Sequence, residues 1–198
     1  MGNSQTQGIT SDDIIIFLVG PSDGEKRYFI ERLDLDYRAA KSSFASVSAV
    51  YGIQSWVYSL GWMVDNTVLV VVPSFDEAGA HYSVKNWCEA KGFTTLGRRS
   101  GVLYIHPTSK NPDVEDHLEK FLDPIPRWSQ PVRTKVVPSV PLNTSSSVDD
   151  TRVGILQAAV NRLNSRRWNV TVSPRFVKGP DIAYDIVQGL AKELSNGA

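Results

Sequence analysis

The chain has 198 residues, long enough to enclose one sizeable hydrophobic core. It is 41% hydrophobic and 21% charged, ordinary for a globular protein, and its 21 basic side chains balance 21 acidic ones. That balance excludes bulk electrostatic attraction as a way of holding nucleic acid, and a lone cysteine, Cys88, excludes an internal disulfide framework or a multi-cysteine metal site.

Residues 1–11 are polar and read as a leader ahead of one domain over 12–198. The start, Met1-Gly2-Asn3-Ser4-Gln5-Thr6, fits N-myristoylation at Gly2. A single acyl chain anchors only marginally, so the expectation is a cytoplasmic protein with reversible membrane association through Gly2. No apolar run approaches the length of a membrane span, and no signal-peptide core is present.

Ile14 to Val19 is a continuous apolar run of strand length, suited to a parallel strand buried on both faces. Gly20-Pro21-Ser22-Asp23-Gly24 breaks it, and a short helix follows with Phe29, Ile30 and Leu33 on one face. Residues 44–66 are rich in Val, Ser, Tyr and Trp and predict one or two strands near the sheet edge, closed by the Asp65-Asn66 turn. Val68 to Val72 predicts a second buried strand, stopped by Pro73-Ser74, and a helix is expected over about 79–91.

Gly101 to His106 predicts a third core strand, and Asn111-Pro112 the start of a helix lined by Val114, Leu118 and Phe121. Lys135 to Val140 predicts a fourth strand, at whose end or edge Pro138 should sit. Ser147 to Asp150 resembles a capping box opening a helix with Val153, Leu156, Val160 and Leu163. A last helix carries Ile182, Ile186 and Leu190, with Pro180 in its first turn. Strands alternating with helices predict an α/β fold with a mostly parallel sheet and helices on both faces.

A glycine-rich turn between a buried first strand and a helix is where α/β proteins bind phosphate, through unpaired N–H groups and the helix dipole. The octapeptide Gly20-Pro21-Ser22-Asp23-Gly24-Glu25-Lys26-Arg27 aligns with the P-loop pattern, its first glycine and its lysine in register. Glu25 stands where the second glycine should be, and Arg27 where a hydroxyl should hold magnesium. A carboxylate repels phosphate, and a guanidinium has no lone pair for a metal.

The segment Val68 to Glu77 resembles the second-strand signature Asp-Thr-Pro-Gly-Phe-Asp-Asp of small GTPase-like proteins of fungi, relatives of the septin-like and immunity-associated GTPases. Gly101 to His106 looks like that family's next strand, and Arg175-Phe176 with the helix from Ile182 its closing segment, so the likeness spans roughly residues 13–195. It implies a three-layer P-loop NTPase-like domain with degenerate motifs. On it, Gly20 and Lys26 keep phosphate-loop positions, and Pro73, Phe75, Asp76 and Glu77 a switch-like segment. Val71 replaces the magnesium-holding aspartate and Ser74 the switch glycine, while Val137 to Leu142 contains no Asn/Thr-Lys-x-Asp guanine reader.

The degenerate nucleotide site is therefore Gly20, Ser22, Gly24, Glu25, Lys26, Arg27, Ser74 and Asp76, with no catalytic or metal-binding residue. Without protein help to magnesium, efficient hydrolysis is not expected. GTP or GDP would bind weakly if at all, through Lys26 and the loop backbone. The expected role is a pseudo-GTPase that binds protein partners, with no nucleic-acid partner. A divergent slow GTPase and an unrelated doubly wound domain for another small ligand are the alternatives. His81, His106 and His117 lie on different elements and read as surface or strand-end residues, His106 alone being at the ligand-binding strand ends. Cys88 is expected inside a helix, packed.

Overall fold

The computed structural model describes residues 12–39, 44–50, 53–58, 67–72, 77–93, 99–107, 114–122, 133–139, 150–165, 169–173 and 182–196. In chain order these form β1 (Ile14–Val19), α1 (Asp23–Ala39), β2 (Phe44–Val50), β3 (Ile53–Tyr58), β4 (Thr67–Val71) and α2 (Glu77–Ala90). Then come β5 (Ser100–Pro107), α3 (Val114–Leu122), β6 (Arg133–Ser139), α4 (Asp150–Ser165), β7 (Val170–Val172) and α5 (Ile182–Asn196).

The strands make one sheet in the order β2-β3-β4-β1-β5-β6-β7. β4, β1, β5, β6 and β7 are mutually parallel, and β3 runs antiparallel to both of its neighbours. Of the one or two strands expected within 44–66, the structure has two, the hairpin β2–β3 on one side of the sheet. β7 has no counterpart among the expected elements: three residues are too few to show a period of two.

Strand alternation divides the apolar side chains between two layers. Ile15, Phe17 and Val19 of β1 pack with Val84, Trp87 and Cys88 of α2, Leu118 and Phe121 of α3, and Leu156, Val160 and Leu163 of α4. Ile14, Ile16 and Leu18 face the other way, onto Phe29, Ile30 and Leu33 of α1 and Ile186, Leu190 and Leu194 of α5. An unbroken apolar run is what a strand covered by helices on both sides requires. Phe17 and Trp87 meet edge to face, with ring centroids 5.8 Å apart.

Pro138 lies inside β6, a strand paired on both sides, yet close to its end. Thr134 N–H donates to Asn169 O, and Ser173 N–H donates to Val136 O, so even-numbered residues of β6 direct their backbone polar groups toward β7. Pairing with β7 stops at Val136 and Val172. The donor that Pro138 lacks would thus point beyond the last paired residue of β7, and no ladder bond is lost. A second difference concerns α1, expected to be short: it extends for 17 residues and begins at Asp23, inside the motif-like octapeptide.

Candidate functional site

α1 lies on one face of the sheet and α3 on the other. The helices that follow the adjacent strands β1 and β5 thus lie on opposite faces, the arrangement at whose carboxyl strand ends doubly wound proteins bind ligands. The β1–α1 turn, the end of β4 and His106 at the end of β5 all meet there.

The turn is short. Only Gly20, Pro21 and Ser22 separate Val19 from the first helical residue, Asp23. Ser22 caps the helix: its Oγ accepts from Glu25 N–H at 3.4 Å, and its carbonyl accepts the first helical bond from Lys26 N–H at 3.2 Å. Gly24, Glu25, Lys26 and Arg27 are consequently residues of the first turns of α1 rather than of an open loop. Arg27 and Gly24 are exposed, and Glu25 is half-buried with its Oε2 lacking a hydrogen-bond partner among the described residues. Burial pushes the Glu25 carboxyl above its ordinary pKa.

Gly20 touches β5. A Cβ built there would lie 2.6 Å from the carbonyl oxygen of Ile105, so only glycine lets the turn come this close. Gly24 is under no such constraint, the nearest atom to a Cβ there being Ser22 Oγ at 3.8 Å.

Lys26 occupies the centre. Its side chain is 1% exposed, and the ammonium donates to Gly20 O at 3.1 Å and to Val72 O at 2.5 Å. It also pairs with Asp23 Oδ1 at 2.9 Å, one turn back on the helix. Burial lowers the Lys26 pKa, and the hydrogen bond and charge of Asp23 oppose that shift. These contacts fasten the carboxyl ends of β1 and β4 to α1 through Lys26, the lysine of the phosphate-loop pattern. Val71 is half-buried at the end of β4. Ser74 and Asp76, with the rest of 73–76, lie outside the described residues, as does Gly2.

Sequence reasoning missed a second cluster beside this one. His106 is buried at the end of β5, and its ring stacks on that of Tyr104 at 6.5 Å between centroids. The Tyr104 hydroxyl is hydrogen-bonded to Nδ1 of His117 on α3 at 3.2 Å. His106 Nδ1 is buried without a hydrogen-bond partner among the described residues. Burial, and secondarily the charge of His117, lower the His106 pKa to about 4. His106 and Tyr104 are two residues apart on one face of a strand, so their association was open to sequence; the approach of His117 depends on how α3 docks. Among the described residues no three His, Cys, Asp or Glu side chains are grouped to hold a metal. Cys88 is buried in α2, and its thiol pKa is pushed up to about 12, by burial first and Glu89 second, which leaves it unreactive near neutrality. No helix among the described residues is long and apolar enough to cross a membrane.

No protein-family model matches the chain, and no curated protein matches it. Among solved structures, it is similar to "Structure of methanosarcina barkeri Roco2 RocCORdC bound to GDP", at 13% identity and a TM-score of 0.44. That likeness covers 94% of this chain and 50% of the other, so the chain spans about half the length of that protein.

Proposed function

We propose that this chain is a P-loop GTPase-like domain whose phosphate-binding turn has become internal structure, and that it acts by binding protein partners rather than by turning over nucleotide. The observation that carries the reading is the Lys26 ammonium, held by two strand-end carbonyls and Asp23. An anion entering the turn would have to draw that charge away from three acceptors already in place, in a site too poorly hydrated to compensate the lost contacts. The strand order supports the fold part of the proposal, because it sets the β1–α1 turn at the carboxyl strand ends where such domains hold phosphate.

The turn adds a geometric reason. A phosphate cradle needs several consecutive backbone N–H groups facing one point. Here Pro21 has no N–H, and the N–H groups of Glu25 and Lys26 are engaged by Ser22. Kinship with fungal relatives of septin-like GTPases, and membrane contact through Gly2, belong to the same proposal and rest on the sequence alone.

Thermal-shift titration with GTP, GDP and ATP, each with and without magnesium, tests it. The expected result is no nucleotide-dependent shift. A magnesium-dependent stabilisation by guanine nucleotides would overturn the reading and favour a divergent GTPase.

A further inference from the structure

The sheet ends differently on its two sides. β7 has three residues, the brevity by which an edge strand avoids pairing with another chain. β2 has seven, Phe-Ala-Ser-Val-Ser-Ala-Val, and among the described residues it pairs with β3 alone. It contains neither a charged residue nor a proline, two of the devices that keep an edge from accepting a further strand. A register shift between Phe44 and Ser46 bends its beginning, while Ser46 to Val50 stay in regular register with β3.

The sequence of β2 also reads the same in both directions over Ala45-Ser46-Val47-Ser48-Ala49. That symmetry matters for one occupant in particular. When a strand pairs antiparallel with its own copy about a two-fold axis, each residue meets its mirror position. With the axis at Val47, Val47 meets Val47 and Ser46 meets Ser48 of the second copy, both within the stretch that keeps regular register. The pairs nearest the axis are then matched in size and polarity, the outermost sets Phe44 against Val50, and none sets like charges against each other. A formal net charge of zero removes long-range repulsion between copies.

We propose that β2 pairs antiparallel with β2 of a second copy of this chain, centred on Val47, so that one sheet runs through a two-fold homodimer. The proposal is independent of the reading of the β1–α1 turn.

Two single-cysteine variants test the register. At the axis the two Val47 Cα atoms would lie about 4.5–5.5 Å apart, within the roughly 4.4–6.8 Å that a disulfide spans. The two Ala49 residues would be offset by four positions, about 14 Å along the strand, beyond that span. Native Cys88 is buried and does not compete. Under mild oxidation Val47→Cys should form a covalent dimer about tenfold faster than Ala49→Cys or more. Wild-type protein should sediment as a concentration-dependent dimer and Val47→Lys as a monomer with unchanged circular dichroism. If Val47→Lys loses its fold, the two cysteine rates decide. Equal rates, or a wild type that is monomeric at its highest soluble concentration, would overturn the proposal.

Discussion

Acidifying the protein should destabilise it through His106. In the folded chain its pKa falls from the ordinary 6.5 to about 4, first through burial and then through the charge of His117. A base whose folded pKa is depressed is less protonated than in the unfolded chain. Its contribution is therefore fully present above 6.5, declines as the pH falls, and is lost by about 4. At about 1.4 kcal/mol for each tenfold change in proton affinity, the whole effect is about 3 kcal/mol. Roughly 2 kcal/mol of it should be gone between about pH 8 and about pH 5. For a chain of this length that corresponds to a Tm about 4–8 °C lower. Calorimetry of the wild type and His106→Phe at both pH values isolates the contribution. Phenylalanine keeps a ring stacked on Tyr104 and removes the titrating nitrogen. The variant should lose about 2 kcal/mol less than the wild type over that interval. Equal losses would show that His106 does not charge in the way its burial implies.

The β1–α1 turn makes two further predictions. Gly20→Ala sets a methyl group 2.6 Å from Ile105 O, so β1 and β5 must shift, and urea denaturation should show a loss of about 1–3 kcal/mol. Lys26→Met removes the hydrogen bonds to Gly20 O and Val72 O and the ion pair with Asp23 but also relieves the desolvation of the ammonium, for a net loss of about 2 kcal/mol. Because the Lys26 pKa is lowered from 10.5, the wild type should gain stability relative to this variant as the pH rises toward that value, which paired thermal melts measure.

The layering was open to sequence because it depends on one local property, continuous apolar content. Ile14–Val19, Val68–Val72 and Gly101–His106 are runs that water would not tolerate on either side, and each became a central strand. The same holds for α4, where Leu156, Val160 and Leu163 recur at helical spacing. What failed was governed by neighbours distant in the chain. β7 exists because Thr134 to Val136 offer it a ladder, and Pro138 is harmless because that ladder has already stopped. The start of α1 turned on whether Ser22 would cap a helix, which places the first helical residue at Asp23. Lys26 was the hardest to foresee. Its type and position suit a phosphate, and its hydrogen bond to Val72 O joins residues 46 apart in the chain, which local pattern does not show.

Gly20 carries a consequence for reading such chains. It satisfies the first position of a well-known pattern, yet its lack of a side chain is already demanded by the clearance to Ile105. Steric need between two neighbouring strands and hospitality to an anion leave the same letter in a sequence. Distinguishing them takes the residues that follow, which in this molecule wind into a helix from Asp23 onward.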